Sequence, residues 1–185
     1  MKCTITGHTF GIGKRLYDHF TALGWEVQGF SRSNGFDLND KLDEIVELSK
    51  DSDLFINNAF VKTHQLDLLN RLEGIVPKII VMGSIAGDYY EQMYPSCRSY
   101  GEIKHQLEQR CKQLSSTSSS SILYMKISML ENAISCDHPI LYADVVLAID
   151  WWLSNPRINQ MDFELKLTDY TRSKIKENLG IELNE

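Results

Sequence analysis

The sequence is as informative for what it omits as for what it contains. Its four cysteines, Cys3, Cys97, Cys111 and Cys136, stand far apart. There is thus no CxxC redox pair and no zinc-ligand spacing, and the four read as reduced, mostly buried thiols. His64, His105 and His138 likewise share no spacing, so no metal site is expected. No run approaches the roughly 18 consecutive apolar residues that a membrane span requires. An excess of positive charge is missing too. The formal net charge of -6 argues against sequence-independent binding to nucleic acid, which depends on clustered Lys and Arg displacing counterions. It leaves room for a local basic pocket that holds a small phosphate. The first residues read as a strand with no signal peptide ahead of them, so the expectation is a cytoplasmic protein.

What is present is an ordinary globular composition, with 43% hydrophobic and 24% charged residues in a chain of 185. That length buries a core unaided and fits one domain, residues 1–185. Along it, strand and helix alternate. KCTIT at 2–6 suits a strand, and Ile12, Leu16, Phe20 and Leu23 lie at helical spacing before Gly24. A strand follows at 25–30, a helix at about 39–49, and a buried strand at 53–57. A helix within 64–74 precedes the strand KIIVM at 78–82, and a helix at 97–114 leads through a serine-rich loop to ILYMKI. A helix at 142–153 and a strand near 162–167 complete the series. This order predicts an α/β, Rossmann-like, doubly wound parallel sheet with helices on both faces, a three-layer α/β/α arrangement. Ligands of such sheets bind beyond the carboxyl ends of the strands.

The stretch TITGHTFGIGKRL places Gly7, Gly11 and Gly13 in the first strand-to-helix turn, where amides at a helix N-terminus can bind an anion. It is not a Walker A loop, because His8 and Arg15 stand where glycine and Ser/Thr are required. Nor is it GxGxxG, since Leu16 replaces the third glycine. What remains is TGxxxGxG.

Four further motifs follow in order: NNA at 57–59, GSIAG at 83–87, and the pair Tyr100 and Lys104 in YxxxK, with YADVVLAIDWWLS and a strand at the end. On a helix, Tyr100 and Lys104 share one face, and an ammonium beside a phenol favours the phenolate. Ser84 lies just after the strand KIIVM, and its context MGSIA is not the GxSxG of a nucleophilic serine. Together these motifs resemble the short-chain dehydrogenase/reductase family over nearly the whole chain. The resemblance implies a dinucleotide-dependent oxidoreductase in which Tyr100 is the general acid/base, Lys104 its partner and a ribose ligand, and Ser84 the donor to the substrate oxygen. It places Gly7, His8, Thr9, Phe10, Gly11, Ile12 and Gly13 at the cofactor, with Asn58, Ala59 and Met129, and Phe60 where the family usually has glycine. Asp37 and Leu38 match the residues that read the adenine, although Asp37 also fits a helix cap.

At the end of the second strand, an acid would bind the ribose hydroxyls of NAD, whereas Ser31 and Arg32 occupy the position here. Arginine can hold a 2′-phosphate, so NADP(H) is preferred over NAD(H). The implied partner is a small-molecule or carrier-bound carbonyl substrate, and the family's habit of packing the Tyr100 helix against a second subunit leaves room for a homo-oligomer. Two departures stand out. Asn70 is the only asparagine available in the crossover before KIIVM for the family's catalytic asparagine, and KISMLEN replaces its Pro-Gly turn, which implies a minimal lid and an open pocket.

Overall fold

The alternation of strand and helix is realised in a computed structural model that describes residues 1–128, 130 and 140–155, together with the backbone of 160–165. In chain order the elements are β1 (Lys2–Thr6), α1 (Gly11–Ala22), β2 (Glu26–Phe30), α2 (Leu38–Ser49), β3 (Leu54–Asn57) and α3 (His64–Leu72). There follow β4 (Lys78–Met82), α4 (Pro95–Leu114), β5 (Ser121–Ile127), α5 (Tyr142–Leu153) and β6 (Gln160–Leu165). All neighbouring strands are parallel, in the order β2-β1-β3-β4-β5-β6. Helix α4 starts earlier than the spacing predicted, because Pro95 takes a first-turn position where its missing N–H costs nothing. No helix among the described residues is long and apolar enough to cross a membrane.

The period-two alternation of the strands sorts the core into two layers. Cys3, Ile5, Leu54, Ile56, Ile80, Met82, Leu123 and Met125 face α1 and α5. Phe55, Ile79, Val81, Ile122 and Tyr124 face the opposite way, onto α2, α3 and α4. A sheet buried on both faces must be apolar at successive positions, and β3 and β4 are. Relative to the order 3-2-1-4-5-6, among the described residues one strand instead of two lies beyond β1, so β2 is an edge there. The chain runs from β1 to β2 on one side and returns to β3 on the other. The crevice at that reversal is the place where doubly wound sheets take their ligands.

Local chemistry fixes that crevice. Gly7 turns the chain out of β1 with φ at +73°, a conformation that disfavours any side chain, and its N–H donates to the Phe30 carbonyl at 2.7 Å. Helix α1 then packs directly on the turn: a Cβ on Gly13 would lie 2.1 Å from the Gly7 carbonyl oxygen and 2.6 Å from Asn58 Nδ2. Across the crevice, Thr6 Oγ1 accepts from the Asn58 and Ala59 amides, each at 3.0 Å. Asn58 Nδ2 donates in turn to the carbonyls of Thr6 at 3.0 Å and Gly7 at 3.3 Å.

The atoms that a larger residue at position 13 would meet are thus backbone and a pinned amide, with no flexible side chain to yield. Gly13→Ala is therefore expected to lower the stability by about 1–3 kcal/mol, the usual cost of overpacking. Urea denaturation of the two proteins measures it.

Candidate active site

An open cavity of about 960 Å³ lies in the crevice, at the upper end of the size of small-molecule sites. Its wall at the glycine turn consists of Gly7, Thr9, Phe10, Gly11 and Ile12. The N-cap residue of α1, Phe10, makes no side-chain cap bond, and no acidic residue stands in the first turn. The positive end of the helix and its leading amides therefore face the cavity without a competing carboxylate. His8 behaves differently. Its ring fills the space a side chain on Gly29 would need and lies 5.2 Å from the Tyr17 ring, so it is not part of the cavity wall.

The far end of the cavity is formed by Phe30, Ser31, Arg32, Ser33, Phe36, Asp37, Leu38 and Asn39. The loop is ordered by its own polar groups. Asn34 Oδ1 accepts from the Ser31 amide at 2.9 Å, and Asn34 Nδ2 donates to the Gly29 carbonyl at 2.8 Å. Asp37 caps α2, accepting from the Asn39 backbone and side-chain amides at 3.0 and 2.9 Å. These bonds, with a smaller contribution from Arg32, hold its carboxyl below the ordinary value. The cap and the cavity wall are thus one residue. Arg32 itself is exposed and reaches the cavity beside two serine hydroxyls.

At the carboxyl end of β4 and on α4 the remaining motif residues come together. Ser84 starts the turn after β4, its Oγ accepting from the Ala86 amide at 3.2 Å. The neighbouring Ser84 side chain pulls the pKa of Tyr100 down, but burial of Tyr100 outweighs this and the phenol titrates above its usual value. Burial and Ser84 account for the shift of Tyr100, and Lys104 Nζ lies over its ring, 5.7 Å from the centre. Lys104 is 3% exposed and donates to Gln65 Oε1 at 2.6 Å and to the Met82 carbonyl at 2.8 Å. Burial pushes its pKa down from 10.5 to about 7.

Of two further residues of this centre, one escaped the reading of the sequence and the other was singled out only for replacing a glycine. Gln65 has no exposed surface, and its Nε2 donates to the Asn57 carbonyl at 2.8 Å. The signal was available: Gln65 shares a helical face with Leu68, Leu69 and Leu72, and a polar residue on an apolar stripe needs a buried partner. Phe60 is the other. Its ring packs edge-on to Tyr100 with centroids 4.7 Å apart, and 5.3 Å from Lys104 Nζ. Asn70, by contrast, is exposed on α3 and accepts from Arg110 Nε at 2.6 Å, because its place on the helix points away from the buried stripe. It is not part of the site, and the helix meets the lysine through Gln65.

Leu130 and Tyr142 complete the cavity wall. Met129 and residues 131–139, on which the expectation of a minimal lid rests, lie outside the described residues, as do Cys136 and His138. His64 pairs with Asp67 at 3.4 Å and His105 with the Gly87 carbonyl at 3.1 Å. Among the described residues no group of three His, Cys, Asp or Glu side chains is arranged to hold a metal ion.

The depressed pKa of Lys104 has a signed consequence for stability. The unfolded chain holds this proton to about pH 10.5, the folded one only to about pH 7. Between those values the unfolded state binds more protons, so this residue makes stability rise with pH and adds no slope below about pH 7. Unfolding free energies from pH 7 to about 8.5, below the ordinary thiol value, should rise more steeply for the native protein than for Lys104→Met. Equal slopes would show that Lys104 keeps an ordinary pKa.

No protein-family model matches this sequence, and no curated protein sequence matches it. Solved structures do. The 3-alpha-hydroxysteroid dehydrogenase of Pseudomonas sp., complexed with NADH, superposes with a TM-score of 0.71 at 13% identity, covering 89% of this chain and 95% of that one. A short-chain dehydrogenase/reductase superfamily protein from Agrobacterium tumefaciens with bound NAD gives 0.68 at 13% identity, over 98% of this chain and 84% of that one. The closed form of serine dehydrogenase complexed with NADP+ gives 0.64 at 15% identity, over 89% and 94%. At this level of identity the likeness is one of architecture: the chain has the Rossmann-like fold shared by these three structures.

Proposed function

We propose that the protein is an NADP(H)-dependent oxidoreductase of the short-chain dehydrogenase/reductase type that interconverts a carbonyl and an alcohol on a small or carrier-bound substrate. The observation that carries this reading is Tyr100 stacked one helical turn from the buried Lys104, beside Ser84 and at the same end of the sheet as a glycine turn with an unneutralised helix N-terminus. The three structural neighbours named above, two with NADH or NAD and one with NADP+, support a nicotinamide cofactor.

The chain's own residues fit such a group. The amides at the start of α1 would take the pyrophosphate, Asn58 and Ala59 flank the adenosine ribose, and Leu38 with Phe36 offers an apolar wall for the adenine. A cavity wall that carries Arg32 with Ser31 and Ser33 suits a 2′-phosphate, and the acid on the same wall, Asp37, is committed to capping α2. The nicotinamide, when bound, supplies or accepts the hydride. In reduction, the Tyr100 hydroxyl gives its proton to the carbonyl oxygen, and Ser84 donates a hydrogen bond to the same oxygen. Lys104 offsets the charge left on the phenolate when its amine is protonated, a role its pKa near neutrality makes sensitive to small changes around it.

A second reading is a non-enzymatic NADP(H)-binding or redox-sensing module. It is favoured by one observation, the burial of Lys104 behind Gln65 and Phe60 while the Tyr100 phenol titrates high.

Turnover of NADPH with a panel of carbonyls decides between the two. Activity that falls about 100-fold or more in Tyr100→Phe is expected for the enzyme, whereas tight NADPH binding without turnover across the panel supports the module. Arg32→Ala should weaken NADPH about 10- to 100-fold, the loss of charge-assisted hydrogen bonds, and leave NADH unchanged; equal weakening of both would remove Arg32 from the 2′-phosphate site.

A further inference from the structure

The cavity and the reactive pair do not share a wall. Among the described residues, the lining runs from the glycine turn through Asn58 and Ala59 to Phe60 and Val61, but includes none of Ser84, Tyr100 and Lys104. Phe60 is common to both. It lines the cavity, and its ring centre lies 4.7 Å from that of Tyr100 and 5.3 Å from Lys104 Nζ. Two donors of Lys104 are already used, on Gln65 and on the Met82 carbonyl. Any hydroxyl that is to meet Nζ must therefore arrive through the space between those acceptors and the two rings.

The ring is placed so that it can leave. The residue is 39% exposed, and the bonds that fix the chain just before it are made by the Asn58 and Ala59 amides. Two residues later, Lys62 adopts φ of +46°, a left-handed conformation rare for lysine, so the short loop between β3 and α3 is held under backbone strain. Contacts of an aromatic edge and a cation with a ring are individually weak and are readily exchanged for contacts with a ligand.

We propose that Phe60 is a gate between the nucleotide cavity and the Tyr100–Lys104 pair. The adenosine half of a dinucleotide binds with the gate shut, and the second ribose reaches Lys104 only when the Phe60 ring swings out. This rests on the nucleotide-binding reading given above. The gate makes Phe60 a positioning residue: it sets when the lysine and the tyrosine are presented, and it keeps water from them until the dinucleotide is seated.

The gate acts on one half of the ligand only, which makes it separable from that reading. Titrations of the full chain with ADP and 2′,5′-ADP probe the adenosine half, and titrations with NADH and NADPH probe the whole. Phe60→Ala should bind the adenosine-half probes within twofold of the native protein and the better dinucleotide about tenfold more tightly, as expected when a conformer populated at about one part in ten becomes the only one. Phe60→Leu, which keeps an apolar plug and guards against loss of folding in the alanine variant, should fall between. Reductive methylation mapped by mass spectrometry gives a readout that a merely structural role would not move: Lys104 should be modified faster in Phe60→Ala than in the native protein, and be protected by the dinucleotide. Normal binding of the adenosine-half probes with unchanged dinucleotide affinity and unchanged Lys104 labelling overturns the gate alone. Failure of all four nucleotides to bind the native protein overturns the nucleotide reading and the gate with it.

Discussion

The arrangement depends on a small polar clamp between the carboxyl ends of β1 and β3. Thr6 receives two amides from the chain leaving β3, and Asn58 returns two bonds to carbonyls of the chain leaving β1. All of this occurs at the strand reversal, where the sheet itself supplies no further ladder bonds and the backbone groups would otherwise be unsatisfied. The clamp holds the crevice at a fixed width, and Gly13 lets α1 settle against it, which aims the helix N-terminus at the cavity. Without this clamp the cavity would be a gap between two loops. With it, the two walls are covalently continuous with β1 and β3, neighbouring strands inside the sheet.

A second constraint operates beneath the first. Lys104 is carried inward by a helix whose other buried residues are apolar or paired, and it must find its hydrogen bonds without water. Gln65 answers from α3, and the Met82 carbonyl answers from the end of β4, so one amine ties two helices and a strand together. Its price is electrostatic, since burial drives the amine toward its neutral form, and a neutral amine gives the neighbouring phenol little help. Structural integrity and proton chemistry thus draw on the same nitrogen.

Most of the architecture was legible in the sequence because it rests on periodicity. Alternation in the strands and the spacing of Ile12, Leu16 and Phe20 decide which faces are buried, and the observed layers follow them. The glycine turn and the neighbourhood of Ser84, Tyr100 and Lys104 were legible through motif order. What the sequence left open was the direction of individual side chains. His8 sits within the turn yet packs backwards on Gly29, a choice made by a missing Cβ on another strand. Asp37 fitted two roles and is both cap and wall. Asn70 was named by residue type, but the helix phase gives it to solvent and gives Gln65 to the lysine. Phe60 departed visibly from glycine, but only coordinates reveal which two groups its ring touches.

The edge position of β2 has a consequence for how so short a chain manages its border. The Phe30 carbonyl points inward to the Gly7 amide, so the carbonyl of Gly29, one residue earlier on an alternating strand, points outward, where a further strand would have met it. Asn34 meets it instead, with a side-chain amide at 2.8 Å. One folded-back side chain thus covers the strand edge at the place nearest the cavity. Among the described residues the sheet ends here, and the residues of its rim, Phe30 and Ser31, are also a wall of the cavity.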